Sequence, residues 1–599
     1  MQSNFPHLKD RICFENAGGT QIPIQVLENT QDFLKNTYVQ PYGYTMQSML
    51  NTNLVAKSKN FVSTLINNIN GNIILGPSAT QIASNLCNSL TFNENDEIIL
   101  SNFSHESAIG CFERIPNTVF SRPSNWVKIK MWTVDEKCKA NVDELLGLIT
   151  NKTELIVLPH VSNVLGNVLD IKEIVRKIRL KNKNVKIYVD GVSYLPHNII
   201  DVHDMDVDFY VVSFYKFLGT RISALYVKKG VLRTLKNINH HFLDSEQKLE
   251  VGGIQYEHCA SLLGIQEYLC DFARKPEFNR EIVIENFKEF RAMELEFIEY
   301  FDDKFNSIKD NLQLEILTDY NCERVPIFSI YGPNIDKLCF FLNKMGIECK
   351  TGNFYCKRLL DSFNIDKVLR ISLVHYNSIC ELDTFFSLLR TCKKNSHNLV
   401  EYIQYKYDLS ETVKDSFNHL HVDSYYENKR YRGFSLINVE DFSIIGESYF
   451  LQSKLYNSFL GDELRIYNNI SEELLNDESF RAIISKFINT ISNAKQYKYL
   501  YVHQIRIECD YLDTNPVPEG IHQDGYEYIC ITCVNKENIF GPHSEIYDKE
   551  HNLIHKTIME PGENIILNDN KYFHNVTPLK RIEQNKMGYR DIFVFTTVM

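Results

Sequence analysis

The feature that most limits how this chain can fold is a change of pattern near residue 390. Before it, short runs of β-branched and aromatic residues recur at 97–100, 155–158, 185–189, 209–212 and 224–227. Longer amphipathic stretches accompany them, among them 171–183 and 279–305. Parallel strands need a crossover rather than a tight turn, so this alternation predicts an α/β domain with a largely parallel sheet. Beyond residue 390 a last helical stretch at 477–494 gives way to strand candidates at 502–508, 528–534, 563–567 and 591–598. Turn residues such as Pro561-Gly562 separate them. Spaced strands without intervening helices predict an all-β sandwich or jelly roll. The polar run Lys393–Asn398 reads as a linker, which gives domains of 1–395 and 396–599.

Composition narrows the class. At 599 residues the chain exceeds one domain at ~100–200 residues each. A net charge of −12 is mild for this length and argues against a general nucleic-acid or anionic-membrane binder. Fifteen unpatterned cysteines suggest reduced thiols, hence a cytoplasmic setting rather than a disulfide framework. The N-terminal residues show no basic segment followed by an apolar run, and no stretch of about 18 apolar residues occurs.

One group of motifs gathers around a lysine. The run Asp208-Phe-Tyr-Val-Val-Ser213 reads as a strand and leads directly into Phe-Tyr-Lys216. Upstream lie Phe14-Glu-Asn16-Ala-Gly-Gly19, Gly76-Pro-Ser78-Ala79-Thr80, Ser104-His105, His160-Val-Ser-Asn163 and Tyr188-Val-Asp190-Gly191. Downstream lie Gly252-Gly253-Ile-Gln255 and Val368-Leu-Arg370. In this order, over about residues 8–392, they resemble the class V aminotransferases, the cysteine desulfurase-like branch of the fold-type I pyridoxal phosphate (PLP) enzymes. The resemblance implies that Lys216 carries PLP covalently and that His105 stacks on its ring. Asn163 would touch its phenolic oxygen and Asp190 its pyridine nitrogen. Ala79, Thr80 and Ser213 would hold the phosphate, backbone N–H groups at a helix start being suited to an anion. Gly253 would reach the phosphate of a neighbouring subunit, which implies a homodimer. Asn16 and Arg370 would bind the substrate, the arginine through its carboxylate.

Departures from that pattern bear on the chemistry. Tyr215 stands before the lysine where desulfurases carry His, and Ser193 where they carry Gln or His. Tyr355 occupies the place of the persulfide-forming cysteine, with Cys356 one position off. Adjacent side chains point differently, so cysteine desulfuration is not expected.

A second group lies near the C-terminus: Pro518-Glu-Gly-Ile-His522-Gln-Asp524-Gly525, then His574-Asn-Val-Thr-Pro578, then Gly588-Tyr-Arg590-Asp591. Two histidines and a carboxylate form the facial triad of non-haem Fe(II) oxygenases. On a strand, an H-x-D would place both side chains on one face. A second H-x-D, His421-Val-Asp423, lacks a closely following strand-borne His and a later Arg opening the last strand. Over about 410–599 the chain resembles the 2-oxoglutarate/Fe(II) dioxygenases that hydroxylate free amino acids, of the isoleucine dioxygenase type. The resemblance implies a double-stranded β-helix, iron on His522, Asp524 and His574, and 2-oxoglutarate on Arg590. It assigns His421 to a structural segment with Arg430 and Arg432.

Together these imply a bifunctional enzyme of amino-acid or specialised metabolism. PLP chemistry (transamination, lyase or elimination) would be coupled to hydroxylation, with an amino acid, 2-oxoglutarate and dioxygen as partners. The alternatives are one working centre beside a degenerate one, or an amino-acid-sensing regulatory protein. No helix-turn-helix appears at either end to support the latter.

Overall fold

The computed structural model describes residues 2–9, 11–115, 126–344, 346–391, 402–426, 429–454, 456–457, 460–491, 497–509 and 513–598. The expected linker at 393–398 lies outside them. The chain forms two compact units, Met1–Phe386 and Ser387–Met599.

The first unit is built on a seven-stranded sheet. Its strands are β1 (Asn72–Gly76), β2 (Glu97–Ser101), β3 (Lys128–Trp132), β4 (Thr153–Pro159), β5 (Lys186–Asp190), β6 (Phe209–Ser213) and β7 (Ser223–Val227). The order is β1-β7-β6-β5-β4-β2-β3, with β7 antiparallel to both neighbours and the other pairings parallel. Alternate residues enter opposite cores. Ile156, Leu158, Ile187, Val189 and Val212 pack on one face, and Leu155, Val157, Tyr188, Phe209 and Val211 on the other. Helices cover both faces, which is why these strands read as continuous apolar runs. The long expected helix is Arg280–Asn306, started by Asn279, whose Oδ1 accepts from Ile282 N–H at 3.1 Å.

A smaller antiparallel sheet follows: β8 (Glu315–Ile316), β9 (Ile327–Tyr331), β10 (Lys350–Gly352) and β11 (Val368–Ser372), ordered β10-β11-β9-β8. The N-terminal segment lies against it. Ile12–Cys13 pairs with Ile347–Glu348, and Glu15 bridges Ser372 in parallel.

The second unit has a six-stranded antiparallel sheet. Its elements are β12 (Tyr402–Lys406), β13 (Arg430–Asn438), β14 (Tyr499–Cys509), β15 (Tyr528–Glu537), β16 (His543–Tyr547), β17 (Leu553–Ile558), β18 (Glu563–Asn568), β19 (Phe573–Val576) and β20 (Gly588–Thr597). The larger sheet runs β12-β18-β15-β20-β14-β13, and β17-β16-β19 form a separate three-stranded sheet. One face of the larger sheet meets the helix Glu478–Ile491, where Phe480, Ile483, Ile484 and Phe487 pack with Leu500, Val502, Phe593 and Phe595. The other face lines a cavity of about 110 Å³.

Candidate active sites

In the first unit the expected residues converge at one edge of the seven-stranded sheet. Asp190 ends β5 and Ser213 ends β6. Lys216 follows in a 3-10 turn, Ser78 follows β1, His105 follows β2, and Asn163 follows β4. These are the carboxyl ends of parallel strands, where open α/β sheets bind ligands.

Lys216 is 6% exposed, and its Nζ forms no hydrogen bond or ion pair with a described residue. Burial and the Arg370 charge push its pKa from 10.5 to about 8, against the pull of Asp190 and Glu15. A larger share of neutral amine is therefore available to attack a carbonyl. Asp190 is buried and accepts from Val192 N–H at 3.0 Å. Burial raises its pKa, while that backbone bond and the Lys216 charge lower it. A cationic ring nitrogen at this spot would favour its ionised form. His105 caps the helix Glu106–Glu113, its Nδ1 accepting from Ser107 N–H at 3.1 Å. Burial, then Lys216 and Arg370, depress its pKa to about 3, so the ring is neutral and suited to stacking.

Ser78 starts the helix Ala79–Ser89, so Ala79 and Thr80 lie in its first turn with backbone N–H groups directed outward. Ser213 shares a hydroxyl bond with Ser223 at 2.7 Å. Asn163 donates to Phe354 O at 2.8 Å, and its Oδ1 is buried without a partner. Gly252 and Gly253, at φ +87° and +83°, form an exposed turn with open space around both. That left-handed backbone favours glycine.

Arg370, on β11, is 2% exposed. It donates to Glu15 Oε1 at 2.9 Å and to Asn163 O at 3.3 Å, and lies 3.8 Å over the Phe354 ring. The arginine expected to meet a substrate carboxylate is thus held by a carboxylate of its own chain. Asn16 donates to Cys13 O, Ser372 O and Asn377 Oδ1 and accepts from Tyr376. Its amide fastens the segment that presents Glu15. Phe354 and Tyr355 are both left-handed, at φ 48° and 57°. Tyr355 is exposed with its ring 5.2 Å from that of His105, whereas Cys356 is buried with its thiol pushed up to about 12 by burial.

In the second unit His522, Asp524 and His574 offer ligand atoms within 4.8 Å of one another. His522 and His574 exchange backbone hydrogen bonds of 3.0 and 2.9 Å. Asp524 lies beyond that bridge in a turn closed by Gly525 at φ +85°, not on the strand expected from an H-x-D. A strand would direct both side chains outward together, whereas the turn folds the carboxylate back between the rings. Its oxygens stand 3.7 Å from His522 Nε2 and 3.5 Å from His574 Nε2. These are too long for hydrogen bonds and fit donors grouped around one cation. His522 Nδ1 contacts Gly520 O at 2.8 Å, so it carries the proton and leaves the Nε2 lone pair for a metal. Burial and the nearby His522 depress the His574 pKa to about 4, keeping it neutral.

Arg590, the third residue of β20, is 1% exposed. Among the described residues its Nη2 donates weakly to Ser544 Oγ at 3.5 Å and Met559 Sδ at 3.7 Å, the Cys533 thiol lies nearby, and its Nε has no partner. A buried guanidinium left so poorly bonded suits a bidentate anion such as the distal carboxylate of 2-oxoglutarate. His421 is exposed and bonds Asn468, while Asp423 is buried near Arg430 and Arg432; neither belongs to the iron set.

Sequence reading missed Asp569. It is 1% exposed and accepts from the backbone N–H groups of Asp524, Gly525 and Tyr526 at 3.2, 2.8 and 3.2 Å. It also lies 3.7 Å from His574 Nδ1. A lone Asp in an Asn-rich turn carries no spacing signal that could have marked it. Glu15 was legible only as part of a motif.

The comparisons bear on both units. The aminotransferase class-V family model matches residues 12–385, and the 2OG-Fe dioxygenase model matches 414–596. The chain therefore belongs to the class V aminotransferase family and carries a 2OG-Fe dioxygenase domain after it. PLP is the cofactor of the first, and Fe(II) with the co-substrate 2-oxoglutarate of the second. An aminotransferase-like protein of Gibberella zeae is 31% identical over 64% of this chain and 95% of its own length. A cysteine desulfurase-like protein of Aspergillus flavus is 30% identical over 45% of this chain and 63% of its own. Among solved structures, a cysteine desulfurase from Thermococcus onnurineus superposes with a TM-score of 0.59 at 16% identity, covering 65% of this chain and 97% of that one. The cysteine desulfurase CsdA of Escherichia coli gives 0.55 at 20% identity, covering 65% and 96%. These likenesses establish the fold of the first unit. Among the described residues no helix is long and apolar enough to cross a membrane.

Proposed function

We propose that this chain is a bifunctional cytoplasmic enzyme. PLP-dependent transamination, lyase or elimination chemistry on an amino acid would be coupled to hydroxylation of an amino acid or derivative. The domains would meet near residue 395, the second forming a double-stranded β-helix of the free amino-acid hydroxylase type. The observation that supports the reading is that Lys216, Asp190 and His105 lie together at the carboxyl ends of the first unit's strands, while His522, Asp524 and His574 cluster in a cavity that Arg590 also lines.

When bound, PLP delocalises the electrons released at a substrate's α-carbon, and Fe(II) with 2-oxoglutarate activates dioxygen to oxidise a C–H bond. The chain's residues do the rest. Lys216 would hold PLP covalently and its amine would move protons at the α-carbon. His105 would cover the ring, Asn163 and Asp190 would fix its oxygen and nitrogen, and Ala79, Thr80 and Ser213 would bind the phosphate. Gly253 would complete that phosphate site in a partner, making a homodimer. Arg370 would take the substrate carboxylate, with Asn16 positioning the Glu15 segment that competes for it. His522, Asp524 and His574 would hold iron, and Arg590 would orient 2-oxoglutarate.

Cysteine desulfuration is not the proposed reaction, because the buried Cys356 thiol is neither ionised nor exposed near neutral pH. The test is an amino-acid panel on the full chain, reading PLP absorbance changes and succinate formation together. We expect one scaffold, or its product, to move both. If no compound that shifts the PLP band, nor its product, stimulates succinate formation, the coupled reading fails.

A further inference from the structure

The oxygenase cavity contains more buried cationic donors than iron and 2-oxoglutarate can use. Its floor is one face of the larger sheet. Cross-strand partners share a face, so Arg590 on β20, Ile507 on β14 and Arg430 on β13 stand in one row, and Ile592, Ile505 and Arg432 in the next. With strands ~4.8 Å apart, the backbones of Arg432 and Arg590 stand about 10 Å or more apart, across an isoleucine strip.

Arg432 is joined there by Arg465, which pairs with Phe450 in a short ladder. Both guanidinium groups lie on the Phe450 ring, at 5.5 and 4.7 Å. Arg465 is 1% exposed, and its Nε and Nη2 have no partner. No carboxylate lies within salt-bridge distance of it among the described residues. Arg432 is 7% exposed, donates to His503 Nδ1 at 2.6 Å and to the Tyr467 hydroxyl at 3.5 Å, lies 4.8 Å over the Tyr467 ring, and approaches Asp423 only to 3.9 Å; its Nε is unpartnered. Burying a guanidinium without its hydrogen bonds is unfavourable, and here two such groups line the same cavity as the iron ligands.

We infer that Arg465, backed by Arg432, is the subsite for a carboxylate-type anionic group on the molecule that is oxidised. The substrate's hydrocarbon part lies over Ile505, Ile592 and Phe450, between this subsite and the iron ligands. The inference rests on the oxygenase reading of the second domain and adds the residues that would recognise the substrate's acid group, so that its ester or amide would bind poorly.

The test uses the full chain loaded with Mn(II) in place of Fe(II), under saturating 2-oxoglutarate. Isovalerate and its neutral counterpart isovaleramide serve as probes. The readout is paramagnetic broadening of their methyl protons, which reports only probe bound near the metal. We expect isovalerate to be broadened and the amide to need at least tenfold more for the same effect. Arg465→Met and Arg432→Met should each raise the half-maximal isovalerate concentration at least tenfold while Mn(II) and 2-oxoglutarate binding stay intact. Arg465→Lys should restore part of the response. Arg590→Met should instead weaken 2-oxoglutarate and spare isovalerate. Arg465→Met should unfold at the same temperature as the parent or higher, because it removes an unpaired buried charge; a clear fall would mark Arg465 as structural and overturn the inference. Equal broadening by acid and amide, no broadening by either, or broadening that survives Arg465→Met would also overturn it. Failure of the parent chain to bind Mn(II) would sink the oxygenase reading. Isovalerate binding to that metal-free chain, read by saturation-transfer difference on the same methyl protons and lost on Arg465→Met, would leave the anion subsite standing; absence of broadening counts against the inference only in a chain that binds Mn(II).

Discussion

The two sites dispose of their charges in opposite ways. Around Lys216 the strong groups neutralise one another: Arg370 bonds Glu15, Asp190 takes a backbone N–H, and the lysine is pushed toward its neutral form. Around His522 four arginines keep buried donors unused, at Arg590, Arg465, Arg432 and Arg430. The first arrangement suits a cofactor attached covalently and kept through every turnover. The second suits anions that diffuse in and must find donors waiting. Both sites hold buried polar atoms without partners, Asn163 Oδ1, Glu15 Oε2 and Arg370 Nε in the first and the arginine donors in the second. What separates them is that Arg370 is paired with a carboxylate of its own chain, whereas Arg465 and Arg590 have none within salt-bridge distance among the described residues.

The largest effect that sharpens this contrast is expected at Arg590. Arg590→Met should retain iron but raise the 2-oxoglutarate requirement ~10- to 100-fold, since charged hydrogen bonds are worth about 1.5–3 kcal/mol. An unchanged requirement would mean that these orphaned donors do not mark the anion site. Next is Asp569, which fastens the Asp524 turn through three backbone bonds. Asp569→Ala should weaken Fe(II) binding ~10-fold or more, as loss of groups that orient metal ligands does, while PLP content stays normal.

A smaller effect tests the paired site. Only a neutral Lys216 amine could bond PLP covalently, and its pKa, lowered to about 8 by burial and Arg370, lies below the ordinary 10.5. The rate at which apoprotein regains the PLP band should therefore rise with pH up to about 8 and level off above it. Glu15 raises the lysine's pKa and Arg370 lowers it. Glu15→Gln should then move the midpoint down and Arg370→Met should move it up. A rate still climbing past pH 9.5 would refute the neutralised picture. The smallest effects are expected at Cys356 and His421. Cys356→Ala should cost about 1 kcal/mol of stability without abolishing PLP turnover, and His421→Ala should leave iron content unchanged.

Much of this was legible from residue order. Runs such as 209–212 and 224–227 fall within β6 and β7, because strands buried on both faces must be apolar throughout. The unpredicted strands have physical reasons. β3, Lys128–Trp132, is a partly exposed sheet edge that interleaves lysines, and β13 begins with two arginines facing a cavity. Lys216, His522 and Arg590 announced themselves through local motifs. The Glu15–Arg370 pair spans 355 positions, and Arg465 sits on a two-residue ladder. Neither has a local period to read, since only tertiary structure brings such groups together.

The most direct test of two independent centres on one chain is the anaerobic absorbance spectrum of the purified protein with Fe(II) and 2-oxoglutarate. It should be recorded for the parent, Lys216→Ala and His574→Ala. The parent should show both the PLP band and the weaker iron-to-2-oxoglutarate charge-transfer band. Lys216→Ala should lose only the first, and His574→Ala only the second. A parent lacking either band, or a single substitution that removes both, would contradict the account.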